Sequence, residues 1–472
     1  MKPKSPLNSY FDQIYLINLP RRSDKLTRVL YGLDRYNIKV RVIDAVDGRH
    51  PSIFFQQKEL SAGAYGYVLT WIRILKNAIT NNYQRILLLD DDVVLRKDFN
   101  NNFEEWIKTI PKMWKVLLLG ATQHTERPPL ISPCCYHPLI IDGSFATGID
   151  NSIYGELLEH LDERNAIVDS HVLRRIYRRY KDQCYVAYPN LAIADVTSSD
   201  IQHERSQKDL AKKVGWDLEL YHWPQTDPLV SIIISCYQAE MTIERCLRSI
   251  LAQDYRPIEL IITDDGSTDK TGAIISSTLA GWEYDPRVKG ITIELHRHAK
   301  NRGAYVSRNR GLRSATGDFI TFQDADDISL DYRIRTQVNE LLKNRVDLTT
   351  CLILRTHLRH MPDDVEELEK QIRLTRIHPN KYCCRAKVGL VTTMFRRSLV
   401  NRLGEYQESK WGADAEYLRR LFPNLDPNYK IMNYLNDTEY IPDLYYRIGE
   451  IMYLSYEMTE NNLTTQRLRQ LQ

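Results

Sequence analysis

Gly317–Asp331 reads GDFITFQDADDISLD, and the short apolar run Phe319-Ile320-Thr321-Phe322 ends abruptly in Asp324, Asp326 and Asp327. Such a run reads as a buried strand whose carboxyl end opens into a site. Three carboxylates within four positions repel one another, so folding alone gives little reason to gather them. A divalent cation, Mg²⁺ or Mn²⁺, would supply the missing charge; these ions take one or two protein carboxylates and complete their shell with water and phosphate oxygens. The same residues also suit an acidic surface turn with helix-capping aspartates.

Working outward, the segments before this stretch repeat the logic. Leu229–Ser235, LVSIIIS, is a near-continuous apolar strand, Thr242–Gln253 an amphipathic helix, and Ile258–Thr263 the next strand. Strand, helix, strand at this spacing is a βαβ unit and predicts a parallel sheet. The last of these strands runs into Asp264-Asp265-Gly266-Ser267, where Gly266 permits a turn. Residues 301–314, NRGAYVSRNRGLRS, form a basic helix. Asp265, Arg302 and Asp324–Asp327 therefore fall at or near strand carboxyl ends, which form one crevice in an open α/β sheet. Acids for a metal and an arginine for phosphate suggest a nucleotide diphosphate ligand. Arg302 also reads as a solvated helix charge.

The first half has its own pattern. IYLINL (14–19) and Lys39–Ile43 read as strands, with a helix between them to about Tyr36. Ser61–Thr80 is a helix by the spacing of Leu69, Ile72, Leu75, Ala78 and Ile79. Arg85–Leu89 is a strand that ends in Asp90, Asp91 and Asp92, and Lys115–Gly120 is another. Residues 123–142 read as a long loop, and helices follow at Ser152–Leu161 and Ser170–Arg179. Composition then shifts, and WPQTDP marks a linker at Trp223–Pro228. The expected division is 1–222, a linker at 223–228, and 229–472.

The bulk numbers exclude several classes. At 472 residues, 43% hydrophobic and 26% charged, the chain is globular and long enough for two or three domains. A net charge of +3 gives no nucleic-acid-binding signal. No apolar stretch reaches the roughly 18 residues of a membrane helix, and the N-terminus lacks a secretory apolar core. The eight cysteines show no zinc spacing, so reduced thiols in a cytoplasmic protein are expected. No feature specifies an oligomeric state.

Four ordered motifs now carry a resemblance. VSIIISCYQ, IITDDGSTDKT, NRGAYVSRNRG and ATGDFITFQDADD resemble the family 2 glycosyltransferases of GT-A fold. The likeness continues through MFRRSLVNRLGEY, WGADAEYLRRL and YYRIG. It implies a nucleotide-sugar donor, commonly a UDP-sugar, lying across the crevice. Ser235, Tyr237 and Asp265 would contact the base, Arg302 the nucleotide and Asp324 the ribose. Asp326 would hold the metal, and Asp414 would act as base on the acceptor hydroxyl. The family often has Glu just before that aspartate, where this chain has Ala413.

The first half resembles the family 25 glycosyltransferases, which include lipopolysaccharide-type β-galactosyltransferases. The matches are IYLINLPRRSDK, AVDGR, GAYGYVLTW, ILLLDDDV and SSDI at Ser198–Ile201. A metal pair at Asp90 and Asp92 is implied. Two departures stand out: Asp90-Asp91-Asp92 replaces Glu-Asp-Asp, and Tyr67 and Thr70-Trp71 replace Cys and Ser-His. Together the two resemblances imply tandem GT-A-like (Rossmann-like) α/β domains with mostly parallel sheets. They imply a bifunctional enzyme extending a cell-envelope glycan, lipopolysaccharide or capsule, by metal-assisted inverting transfer to a glycan or glycolipid acceptor. Alternatively, only the second half is catalytic and the first binds acceptor or partner. A lipid-linked acceptor would bring the basic helix to the inner face of the membrane as a peripheral contact, which a net charge of +3 does not strengthen. A non-catalytic glycan-binding scaffold leaves Asp414 unexplained, and a metal-dependent hydrolase or nuclease leaves Asp265 with Arg302 unexplained.

Overall fold

The computed structural model describes residues 4–456 apart from 51–59, 124–127, 140, 164–166, 199–204, 357–388, 409–411, 424–434 and 436–439. Of the SSDI motif, all but Ser198 lies outside the described residues. The chain divides into two compact units, Met1–Thr226 and Asp227–Gln472. Each is α/β with a parallel-rich sheet, as the sequence predicts.

The first unit is built on a seven-stranded sheet. Across it the strands run Arg41–Asp44, Gln13–Asn18, Arg85–Asp90, Ala146–Asp150, Val116–Leu118, Cys184–Ala187 and Cys135–Tyr136. Ala146–Asp150 is antiparallel to both neighbours, as is Cys135–Tyr136 to its one neighbour, and the other pairings are parallel. Leu87 and Leu88 in the 85–90 strand are fully buried, which is why this run reads as apolar throughout rather than alternating. The helix Ala62–Thr80 is capped by Ser61, whose side chain accepts from Ala64 N, and buries Val68, Trp71, Ile74, Leu75 and Ala78 on the sheet. Gly66 in this helix lies so close to the Val46 carbonyl that a Cβ would collide with it. Thr70 Oγ1 accepts from Val46 N at 2.9 Å on the same face. The GAYGYVLTW motif is thus explained by the close seating of the AVDGR segment on the helix.

The second unit carries a nine-stranded sheet. Its path runs Ile291–Arg297, Ile258–Asp264, Val230–Cys236, Phe319–Asp324, Thr393–Arg396, Leu348–Thr356, Tyr445–Tyr456 and Ile328–Ser329, and the ninth strand, Tyr440–Ile441, pairs with Tyr445–Tyr456 off this path. The first four are mutually parallel, and Thr393–Arg396 is antiparallel to both its neighbours. The βαβ unit read from the sequence is present, with the helix Ile243–Leu251 between its strands. The edge strand Ile291–Arg297 is absent from the sequence reading, because its residues are largely exposed and it lacks an apolar run.

The segment expected as a linker is partly held by the first unit. Trp223 packs against a cluster of Val94, Ile193 and Tyr221, and Gln225 Nε2 donates to the Val93 carbonyl at 2.9 Å. The prolines read as breakers, but the indole just before them finds apolar neighbours.

Candidate functional site

Register brings the second unit's predicted residues to one level. Ser235 pairs with Thr263 on one side and Asp324 on the other. All three stand at strand carboxyl ends, with Asp265 one residue beyond the 258–264 strand. Ser235 Oγ is buried without a hydrogen-bond partner, and Tyr237 is 45% exposed.

Asp265 is 2% exposed and closely engaged. Its carboxylate accepts from His298 Nδ1 at 2.7 Å, Arg302 N at 3.0 Å and Gly303 N at 2.7 Å. The last two amides lead into the helix Ala304–Ser314, so Asp265 satisfies donors at that helix entrance where negative charge is favoured. Gly266, with φ of 75°, permits the arrangement, since a Cβ there would stand 2.6 Å from the Lys300 carbonyl carbon. Arg302 therefore meets Asp265 through its backbone, and its side chain is exposed.

Asp324, Asp326 and Asp327 converge, each offering a ligand oxygen, with all of these within 4.8 Å of one another. Burial, with the charge of Asp324 behind it, pushes the Asp326 carboxyl up to about 6. Three carboxylates gathered this closely fit a hard divalent cation. The turn is fixed from below by Arg333, which is fully buried. Its guanidinium donates to Gln323 Oε1, Ser329 Oγ, Thr321 Oγ1 and the Val391 carbonyl, and Gln323 Nε2 donates to the Asp327 carbonyl at 3.0 Å.

Asp414 lies in the first turn of the helix Ala413–Arg419. Arg308 Nη1 donates to Asp414 Oδ1 at 2.7 Å, and Arg308 Nη2 donates to Asp324 Oδ1 at 2.9 Å. The side chain of Arg308 is only 10% exposed. Burial disfavours its charge, but Asp414 and Asp324 more than restore it and hold the guanidinium above its ordinary value. Burial raises the Asp414 carboxyl, while Arg308 pulls against the rise. Next to Arg308, Asn309 exchanges two hydrogen bonds with the Tyr406 backbone, and the Tyr406 ring stacks 4.1 Å from Tyr417 on the Asp414 helix. Arg308 escaped the sequence reading because it stands among several arginines of one basic helix. The signal that separates it is its place beside Asn309, on the buried face.

In the first unit, Asp90, Asp91 and Asp92 line a cavity of about 960 Å³. The Tyr67 hydroxyl stands 2.9 and 3.0 Å from the two Asp90 oxygens and 2.9 Å from Ser144 Oγ. Lys25 Nζ lies 3.5 Å from Asp91 Oδ1. Burial and the charge of Asp92 push the Asp90 carboxyl well up, and burial lifts Asp92 to about 7. The Tyr67 phenol thus spans both oxygens of Asp90, and a buried ammonium stands against Asp91. Among the described residues, only Asp324, Asp326 and Asp327 bring three such ligand atoms together. Of the pair Asp90 and Asp92, to which the resemblance assigns a metal, Asp90 has both oxygens engaged by the Tyr67 hydroxyl.

Comparison with known proteins agrees with the two-part reading. Residues 231–376 match Glycosyl transferase family 2, and residues 11–129 match Glycosyltransferase family 25 (LPS biosynthesis protein). An uncharacterized glycosyltransferase of Haemophilus influenzae is 41% identical over 122 residues, which is 26% of this chain and 46% of its own length. The UDP-Glc:alpha-D-GlcNAc-diphosphoundecaprenol beta-1,3-glucosyltransferase WfgD of Escherichia coli is 32% identical over 175 residues, 37% of this chain and 63% of its own. The chain thus spans less than two thirds of each of these relatives. The crystal structure of S. aureus TarS 1-349 in complex with UDP-GlcNAc is 18% identical with a TM-score of 0.35, covering 50% of this chain and 60% of that one. No described helix is long and apolar enough to cross a membrane.

Proposed function

We propose that the chain is a glycosyltransferase of polysaccharide biosynthesis whose second unit transfers a sugar from a nucleotide-sugar, a UDP-sugar, to a glycan or glycolipid acceptor of lipopolysaccharide or capsule type. The observation that carries this is the single guanidinium of Arg308 spanning Asp414 and Asp324. It puts a carboxylate from a helix start beside the acid turn, as an acceptor-side base next to a donor site requires.

Asp326, with Asp324 and Asp327, would hold Mn²⁺ or Mg²⁺, which when bound neutralises the leaving diphosphate. Ser235, Tyr237 and Asp265 would line the base end, Arg302 would meet the nucleotide, and Asp324 would meet the ribose. Asp414 takes the proton of the acceptor hydroxyl as its oxygen attacks the anomeric carbon. The bond from that carbon to the diphosphate oxygen breaks, the nucleoside diphosphate leaves, and the anomeric centre inverts. Of one or two sugar additions per chain, the arrangement at Tyr67 and Lys25 favours one, made by the second unit.

Two variants separate binding from chemistry. Asp326→Ala should weaken metal-dependent UDP binding and transfer together. Asp414→Asn should leave calorimetric UDP and Mn²⁺ affinity near normal while transfer drops by about 10²–10⁴. Near-normal transfer by Asp414→Asn would remove the base assignment, and lost UDP binding in that variant would move Asp414 into the nucleotide site.

A further inference from the structure

The cavity of the first unit is arranged for a different ligand from the acid turn of the second. Its triplet is met by groups of the chain itself. The Tyr67 hydroxyl reaches both Asp90 oxygens, and Lys25, 7% exposed, sets its ammonium against Asp91. A dication placed among these acids would have to displace the Tyr67 hydroxyl from Asp90 and share Asp91 with that ammonium. The remaining lining does not favour a polyanion either. Among the described residues, seven aspartates face five lysines and arginines, and Arg21 is engaged by Asp47 at 3.2 Å. A diphosphate entering without a cation would meet no net positive charge, even with the raised carboxyls of Asp90 and Asp92 protonated.

Carboxylates and hydroxyls at this density instead suit a ligand rich in donors and without charge. Each ionised carboxylate is a pure acceptor with room for several hydroxyl hydrogens. Asp92 Oδ1, in the cavity lining, is buried and has no hydrogen-bond partner, which is costly unless a ligand or water supplies a donor. Ser144 and Asp169 add polar groups, and the volume lies in the range of small-ligand sites. We propose that this cavity is a metal-independent site for a neutral, hydroxyl-rich saccharide rather than a second nucleotide-sugar site. The identification of that saccharide with acceptor glycan rests on the transferase reading above; its binding does not.

Full-length protein tests this in two ways. Equilibrium dialysis against Mn²⁺ should give the same stoichiometry for the wild type and for Asp90→Asn/Asp92→Asn. A lower stoichiometry in the double variant would overturn the inference. Loss on Asp326→Ala reports on the second unit alone. An array of neutral oligosaccharides, probed in EDTA, should retain the protein. Asp92→Asn should weaken that binding about tenfold, and Asp169→Asn, at a half-buried position, should weaken it severalfold. Asp326→Ala should leave it unchanged. No capture by neutral saccharides, capture abolished by EDTA, or UDP affinity that falls in Asp92→Asn and Asp169→Asn would each overturn the proposal.

Discussion

At the scale of the residue, Arg308 decides what Asp414 can do. A base must be ionised to accept a proton, and burial alone would hold Asp414 neutral to a higher pH. The guanidinium opposes that rise, and its second arm fixes Asp324. Arg308→Met should therefore move the Asp414 carboxyl further up. The acidic limb of the kcat/KM profile should shift by about one pH unit or more to higher pH. Arg308→Lys keeps the charge but lacks the fork that reaches both carboxylates. It should hold the limb near its original place and lose transfer through misplacement. A limb that stays put in Arg308→Met would show that Arg308 only packs. Asp414 was legible because it stands in a recognisable motif, whereas the partner that sets its basicity lies 106 positions earlier, a separation no local spacing rule spans.

At the scale of the element, strands that combine apolar runs with turn chemistry were legible, and an exposed edge strand was not. Leu229–Ser235 and Ile258–Thr263 announce themselves as buried parallel strands. Ile291–Arg297 does not, because its backbone pairing rather than its side chains places it at the edge. Glu259, an outward position on the 258–264 strand, ties its neighbours together: it accepts from Ser231 Oγ at 2.5 Å, Thr316 N at 2.7 Å and Thr316 Oγ1 at 2.6 Å. Burial works against its charge, but these donors outweigh burial and hold its carboxyl below the ordinary value. A carboxyl depressed on folding adds stability above its unfolded value of about 4.3, and that stability is lost as pH falls through the folded value. Glu259→Gln should accordingly lower stability by about 1 kcal/mol at pH 7, with the gap to wild type closing below about pH 4. Thermal melts across pH 3–8 decide it, and a gap that persists in acid would assign the effect to shape rather than charge.

At the scale of the molecule, each unit has its own buried core, one around Trp71, Leu88 and Ile149, the other around Phe322, Phe395 and Tyr417. The restart of the strand–helix pattern after residue 228 made two units legible, but composition could not place the cut. Side-chain contacts place it more closely. Trp223 and Gln225 belong to the first unit's packing. Asp227 Oδ2 lies 3.6 Å from Arg335 Nη1, with side chains 6% and 11% exposed, and the Pro228 carbonyl accepts from the Tyr255 hydroxyl. A fragment of residues 227–472 should therefore unfold cooperatively and more stably than one of residues 229–472. The shorter fragment takes the Asp227 carboxylate from Arg335 and the Pro228 carbonyl from the Tyr255 hydroxyl, together worth about 2–4 kcal/mol. By the same reasoning residues 1–226 should exceed 1–222, which loses the Trp223 indole and the bond to Val93. Urea unfolding of the four fragments measures both differences. Equal midpoints within each pair would mean that the segment between the units is a linker throughout, and insoluble fragments beside a well-behaved full chain would mean that neither core is sufficient alone.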